Sequence, residues 1–185
     1  MENYYKIYDA NGKFKRNEPA SKIKLGVLDE NTDYQGGVSC IIIQNGQILL
    51  EKRGAKQVGA GTFDFCSGHI DNEEKEKETV VRELGEELGI PSEIAKKVKM
   101  LKAYSTTLNR QAQRNWHMTF FYLEIPNNFK LAIQEDEVEN IVFVPIKDAI
   151  ELIKEGNRFQ FPYDKNMETM LIDLERLTEQ EKEER

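Results

Sequence analysis

The stretch from Gly68 to Ile90, which reads GHIDNEEKEKETVVRELGEELGI, decides the fold of this chain. Its Glu83, Glu86 and Glu87 stand at positions i, i+3 and i+4, which share one face of an α-helix with Cβ atoms about 5–6 Å apart. Three carboxylates held that close repel one another, and a hard divalent cation that takes oxygen ligands relieves the repulsion. A solvated Glu/Lys helix face is the alternative that the Glu-rich composition leaves open.

The same stretch carries signals for where a helix runs. Apolar Val81, Leu84 and Leu88 recur at i, i+3 and i+7, which predicts a buried stripe on one side. Gly89 stands where a helix commonly ends in a left-handed residue. We therefore predict a helix from Glu73 to Leu88.

The whole pattern resembles the Nudix box, G-x5-E-x7-R-E-U-x-E-E-x-G-U, in which U is a bulky aliphatic residue. All nine specified positions are filled, by Gly68, Glu74, Arg82, Glu83, Leu84, Glu86, Glu87, Gly89 and Ile90. The box covers 23 of the 185 residues. The resemblance implies a Nudix-type α/β/α sandwich with a mixed β-sheet. It also implies hydrolysis of a pyrophosphate bond in a nucleoside diphosphate linked to another moiety.

The resemblance further implies a role for each residue of the box. Mg²⁺, or Mn²⁺ as a substitute, would be held by the backbone carbonyl of Gly68 and the carboxylates of Glu83, Glu86 and Glu87. These three glutamates and Arg82 are the candidate catalytic residues, and in some family members the residue that matches Glu83 acts as general base. Arg82 would hold the carboxylates in orientation, with Glu78 and Glu86 in its reach.

Three residues are candidates for contact with substrate. Arg53 closes a predicted strand and could pair with a phosphate. His69 lies beside the metal-binding glycine. Glu137 is the best placed of four acidic residues that precede or enter a later strand, the others being Glu135, Asp136 and Glu139. For each candidate an ordinary surface position is the competing interpretation.

Composition limits the partners and the setting of the chain. The net charge of −7 argues against long nucleic acid, because no basic stripe is available to displace counterions. Two cysteines, Cys40 and Cys66, do not make a disulfide framework, so we expect a reduced, cytoplasmic setting. We read neither a signal peptide nor an apolar span long enough for a membrane. The expected partner is a small nucleotide-type substrate, and the family resemblance allows a homodimer.

The length favours one domain over residues 1–185. Within it we predict an N-terminal hairpin and irregular connection over 1–34, the box over 68–90 and a frayed tail over 177–185. Further strands are predicted at 38–43, 47–52, 62–66, 98–107, 115–125 and 140–144, and further helices at 146–155 and 165–177. A turn at Asn45-Gly46 is predicted between the first two of these strands, and Gly68 is predicted to lie in the loop after 62–66. Such mixing of strands and helices favours a mixed sheet covered on both faces.

The sequence leaves two alternatives to a pyrophosphate hydrolase. The sequence Cys66-Ser67-Gly68-His69 resembles the reactive-cysteine segment of isopentenyl-diphosphate isomerase, a relative of Nudix fold. No histidine precedes His69, however, whereas that isomerase site needs two upstream of its cysteine. A non-catalytic nucleotide-binding module is the second alternative, but such modules usually lose box carboxylates and this chain lacks none.

Overall fold

A mixed sheet forms the centre of the molecule. The computed structural model describes residues 2–24, 28–108, 114–156, 158–160 and 164–183. Its strands are β1 (Tyr4–Tyr8), β2 (Phe14–Pro19), β3 (Tyr34–Gln44), β4 (Gln47–Arg53), β5 (Phe63–Asp64), β6 (Cys66–His69), β7 (Lys99–Leu108), β8 (Arg114–Glu124) and β9 (Val138–Val144). Its helices are α1 (Ala20–Lys24), α2 (Glu76–Leu88), α3 (Ser92–Ala95), α4 (Ile146–Lys154) and α5 (Lys165–Glu183).

Strand β3 organises the sheet because it bonds to four others. Strand β8 runs parallel to it, from the Gln35–Trp116 pair to the Ile43–Glu124 pair. Strands β1, β6 and β4 all pair with β3 in antiparallel fashion, each along a different part of its length. Strand β4 then carries β5 and β9, and β7 pairs with β8. The near-continuous burial of β3 is expected for a strand covered on both faces.

Two apolar cores lie on opposite faces of this sheet. Ile41 of β3 belongs to the core that α4 and α5 cover. Ile42, the next residue, belongs to the core that α2 covers. Successive strand residues point to opposite faces, so one strand serves both layers. The predicted α/β/α sandwich with a mixed sheet is confirmed.

Several predicted element boundaries were right. The Asn45-Gly46 turn joins β3 to β4, and both residues have positive φ, at 53° and 73°, as a tight hairpin turn requires. Gly89 ends α2 in the left-handed conformation, with φ of 63°. Helix α4 ends at Lys154, within one residue of the prediction.

Other boundaries were wrong. Helix α2 begins at Glu76 rather than Glu73, because the preceding acidic residues belong to the turn that leads into it. The connection predicted to be irregular contains α1. Gly68 lies in β6 rather than in a loop, since pairing with β3 imposes extended structure on residues that have low strand preference.

The buried stripe of α2 is also shifted from its predicted position. Val80, Leu84 and Leu88 are fully buried, whereas Val81 is only partly buried. At the C-terminus, α5 continues to Glu183 instead of ending at Leu177, in keeping with the helix preference of its Glu, Gln and Lys residues. No helix among the described residues is long and apolar enough to cross a membrane.

Candidate functional site

The ends of helix α2 are fixed by backbone interactions. At its start the backbone N–H of Lys75 donates to the Glu78 carboxylate (2.8 Å). At its end the N–H of Ile90 donates to the Leu84 carbonyl (3.0 Å), after the left-handed turn at Gly89. The helix therefore has a defined length and rotation, and it presents the box glutamates toward β6.

Glu83 packs directly on Gly68. A Cβ atom added at Gly68 would overlap the Glu83 carboxylate group, so only glycine leaves room for it. The Glu83 side chain is 13% exposed. The spacing between Gly68 and Glu83 thus has a steric meaning in this chain, because the glycine in β6 leaves the space that the Glu83 side chain occupies.

Arg82 links the acidic residues of the box. Its guanidinium binds both oxygens of Glu74, at 2.9 and 3.0 Å. Its third nitrogen, Nη1, donates to Glu83 (2.8 Å) and to Glu86 (2.9 Å). The predicted contact with Glu86 is present, but Glu78 caps the helix start instead, and Glu74 takes its place as partner. Arg82 therefore joins Glu83 and Glu86 to Glu74, and its role in orienting a catalytic site stays a prediction.

The three box glutamates lie in different surroundings. Burial raises the pKa of Glu83 to about 7; Arg82 opposes this shift, and Glu86 and Glu137 add to it. Burial likewise raises the pKa of Glu87, which is 7% exposed. The side chain of Glu86, in contrast, is 55% exposed. Glu83 and Glu87 thus form the buried part of the trio, and Glu86 its solvent-facing edge.

A buried carboxylate that we did not single out from the sequence joins this site. Glu51 of β4 is 4% exposed. One carboxylate oxygen of Glu51, the sulfur of Cys66 and one carboxylate oxygen of Glu87 all lie within 4.8 Å of one another. Burial raises the pKa of Glu51 well above its usual range, and the neighbouring Glu87 and Asp64 raise it further. The strand alternation offered a signal, because Glu51 lies two residues after Leu49, which faces α2.

Glu137 is brought to the site by main-chain contacts. The N–H of Gln134 donates to the Glu87 carbonyl (2.9 Å), and the N–H of Glu137 donates to the Gln134 carbonyl (3.0 Å). The Glu137 carboxylate is close enough to raise the pKa of both Glu83 and Glu87. Of the other acids in the predicted group, Asp136 pairs with Lys56 and Glu139 pairs with Lys52, while Glu135 is exposed.

Arg53 is held by a second buried acid, Asp64, which the sequence analysis also missed. Arg53 Nη1 donates to Asp64 (2.7 Å), and its Nε donates to the Val58 carbonyl (2.9 Å). Asp64 is 2% exposed and also accepts from the Phe65 N–H (2.8 Å). Arg53 is thus a fixed cation beside the site rather than a mobile surface charge. Its contact with substrate stays a prediction.

His69 sits in an aromatic cluster next to Gly68. Its ring stacks on Tyr5 with a centroid separation of 4.6 Å, and Trp116 lies 5.2 Å away. Burial lowers the pKa of His69 to about 4, and nearby cations, first among them Arg114, lower it further. The imidazole is therefore neutral at pH 7. Arg110, a basic residue four positions before Arg114 in the sequence, lies outside the described residues.

The side chains present fit a divalent cation. Hard cations bind carboxylate oxygens, and this site gathers Glu83, Glu86, Glu87 and Glu137 at one end of α2. One Glu87 oxygen, Oε2, is buried without a hydrogen-bond partner in the part of the chain that the structure describes. Buried polar atoms are normally paired, so a divalent cation fits as the partner of this carboxylate oxygen.

Comparison with known proteins agrees with this geometry. The family model described as NUDIX domain matches residues 33–166. A protein of Escherichia coli (strain K12) described as CTP pyrophosphohydrolase is 39% identical over 61 residues, which span 33% of this chain and 45% of that protein.

Solved structures share the fold at low identity. DR0079 from Deinococcus radiodurans is 14% identical, with a TM-score of 0.66 over 85% of this chain and 93% of that one. A C. elegans Ap4A hydrolase is 15% identical, with a TM-score of 0.58 over 77% of this chain and 96% of that one.

Proposed function

Because the chain belongs to the NUDIX domain family, we propose that it is a divalent-cation-dependent pyrophosphohydrolase acting on nucleotide-type substrates. The bond cleaved is the anhydride of a nucleoside diphosphate linked to another moiety. The observation that carries the proposal is the packing of the Glu83 carboxylate on Gly68, with Arg82 bonded to both Glu83 and Glu86. This arrangement aligns the box acids for a shared cation.

The cation, Mg²⁺ or Mn²⁺, would be held by Glu83, Glu86, Glu87 and the Gly68 carbonyl. When bound, it would neutralise anionic phosphate oxygens and make water a better nucleophile. Glu137 supplies a further carboxylate from outside the box.

The protein's own part in the reaction is proton transfer and orientation. Glu83 is the proposed general base that accepts a proton from the attacking water, and burial raises its pKa to about 7 in the cation-free protein. Arg82 fixes the Glu83 carboxylate, so the base does not have to reorient during the reaction. Arg53 and neutral His69 border the site and are the proposed contacts for substrate.

The similarity to CTP pyrophosphohydrolase and to an Ap4A hydrolase supports nucleotides as the substrate class. The matched segment spans less than half of the CTP pyrophosphohydrolase, so CTP itself is one member of a panel to be tested. A homodimer, a single domain and a cytoplasmic setting stay predictions from the sequence.

The burial of Cys66 argues against the isomerase alternative. Cys66 is fully buried, and burial raises the pKa of its thiol well above the usual range. A thiol in that state is poorly suited to shuttle protons to a substrate. The non-catalytic alternative has no observation in its favour, because every box carboxylate is present.

The test is a hydrolysis assay with Mg²⁺ on nucleoside triphosphates, ADP-ribose, dinucleotide polyphosphates and coenzyme A, with the nucleotide products separated and identified by anion-exchange chromatography. The unaltered protein should hydrolyse at least one class, and Glu87→Gln should lose that turnover while keeping its helix content. Glu73→Gln, an exposed glutamate of the same segment that fills no specified position, is the matched control and should stay active. Retained turnover in Glu87→Gln would contradict the proposal.

A further inference from the structure

We propose that Glu51, Cys66 and Glu87 form a buried cation subsite that takes a thiophilic divalent ion, of the class of Zn²⁺, Co²⁺ and Cd²⁺. This inference rests on the proposed function in one respect: Glu87 is a proposed ligand both of the Mg²⁺ site and of this subsite. It adds two residues, Glu51 and Cys66, that lie outside the specified positions of the box. One residue comes from each of β4, β6 and α2, so the subsite lies where the box helix meets the sheet.

The geometry of these three side chains is that of a ligand set. Each offers one atom that lies within 4.8 Å of the corresponding atoms of the other two. Cys66 is fully buried, and Glu51 and Glu87 are 4% and 7% exposed. A cation placed among them could therefore contact all three at once, with little competition from solvent.

Two oxygens of this cluster need a partner. Glu51 Oε1 and Glu87 Oε2 are buried and make no hydrogen bond within the described residues. A buried polar atom without a partner destabilises the folded state, and more so when it is charged. Two carboxylates that face each other are destabilising for a second reason, since like charges at short range repel. A divalent ion would satisfy both oxygens and remove the repulsion.

The thiol decides which ion fits. Mg²⁺ takes oxygen ligands and keeps several of its waters, so a buried set that includes sulfur suits it poorly. Thiolate ligands favour Zn²⁺ and related ions, which bind three protein groups and keep a fourth position open in catalytic sites. Binding would release the Cys66 proton to solvent as the sulfur takes the metal.

A proton shared between Glu51 and Glu87 is the competing explanation, because it would also satisfy buried oxygens. The two explanations differ in what the sulfur does. A shared proton leaves Cys66 a thiol, whereas a bound thiophilic ion converts it to a metal thiolate with a ligand-to-metal charge-transfer band in the ultraviolet.

The experiment is a Cd²⁺ titration of the full chain after treatment with EDTA, followed by ultraviolet absorbance. The unaltered protein should develop the charge-transfer band, and Cys66→Ser should not. Cys40→Ser is the matched control: Cys40 is equally buried and pairs with Cys66 across β3 and β6, but it lies outside the cluster, so its variant should keep the band. Glu51→Gln should weaken Cd²⁺ binding by about tenfold or more, the scale of effect seen when a metal site is altered.

No band in the unaltered protein, a band that survives in Cys66→Ser, or equal Cd²⁺ affinity in Glu51→Gln would each overturn the proposal. If a variant fails to fold, ¹¹³Cd NMR of the unaltered protein decides the question, because a sulfur ligand and an all-oxygen site give distinct chemical shifts. Hydrolysis with Mg²⁺ is measured separately on the same preparation. A Cd²⁺ band without hydrolysis would reject the proposed function alone, and hydrolysis without a band would reject this subsite alone.

Discussion

Replacing Glu83 with glutamine should remove a large part of the pH dependence of stability in the cation-free protein. Burial raises the pKa of Glu83 from 4.5 to about 7. Since each pKa unit corresponds to about 1.4 kcal/mol, the shift amounts to about 3 kcal/mol. The folded-state pKa lies above the unfolded one, so this contribution is fully present below pH 4.5 and is lost as the pH rises through 7.

The assay is urea unfolding in EDTA at pH 5 and pH 8.5, with the free energy of unfolding extrapolated to water. Between these two pH values the unaltered protein should lose about 2.5 kcal/mol more than Glu83→Gln, because part of the contribution is already lost at pH 5. This loss corresponds to roughly 5–10 °C in melting temperature for a chain of this size. Glu73→Gln, an exposed glutamate, should behave like the unaltered protein. Adding Mg²⁺ at pH 8.5 should restore stability to the unaltered protein more than to Glu83→Gln. Equal losses in the two proteins would refute the reasoning.

Three further substitutions test the geometry of the box. Gly68→Ala should abolish Mg²⁺-dependent turnover and retain helix content, because the added methyl overlaps the Glu83 carboxylate. Gly85→Ala is the matched control, since its added methyl meets nothing closer than 3.7 Å. This control should keep its activity and gain about 1 kcal/mol of unfolding free energy in urea. Gly89→Ala should lose about 1–2 kcal/mol of unfolding free energy, because its φ of 63° strains a residue with a Cβ, and unchanged stability would contradict the left-handed end. Arg82→Lys should weaken Mg²⁺ binding measured by calorimetry, because an ammonium cannot replace the guanidinium that binds Glu74 with two nitrogens and Glu83 and Glu86 with the third. Equal Mg²⁺ affinity would show that the arginine does not orient these carboxylates.

The features that could be predicted from the sequence are those set by local chemistry. The Asn45-Gly46 turn was predicted because both residues tolerate positive φ, and the end of α2 was predicted because Gly89 does too. The trio of box glutamates was predicted from helical spacing, which does not depend on the rest of the fold. The two-sided covering of the sheet followed from the alternation of strands and helices.

The features that were missed depend on tertiary contacts. Strand β6 exists because β3 pairs with it, and its Gly68 and His69 carry little strand preference of their own. Asp64 lies between two phenylalanines and Glu51 follows Leu49-Leu50. Strand alternation places Glu51 on the same face as Leu49, but the residues that bury these two carboxylates come from other elements. The start of α2 was misplaced because the segment before Glu76 contains good helix formers that form a turn instead.

Residues 132–137 are attached to the end of α2 through the main chain. The attachment uses peptide groups: the N–H of Ala132 donates to the Leu88 carbonyl (3.0 Å), and the N–H of Gln134 donates to the Glu87 carbonyl (2.9 Å). Peptide N–H groups are common to nearly all amino acids, so the position of Glu137 depends little on which side chains the segment before it carries. No fixed side-chain pattern is then needed to bring Glu137 beside α2, which is why the sequence offered it only as one of four candidate acids.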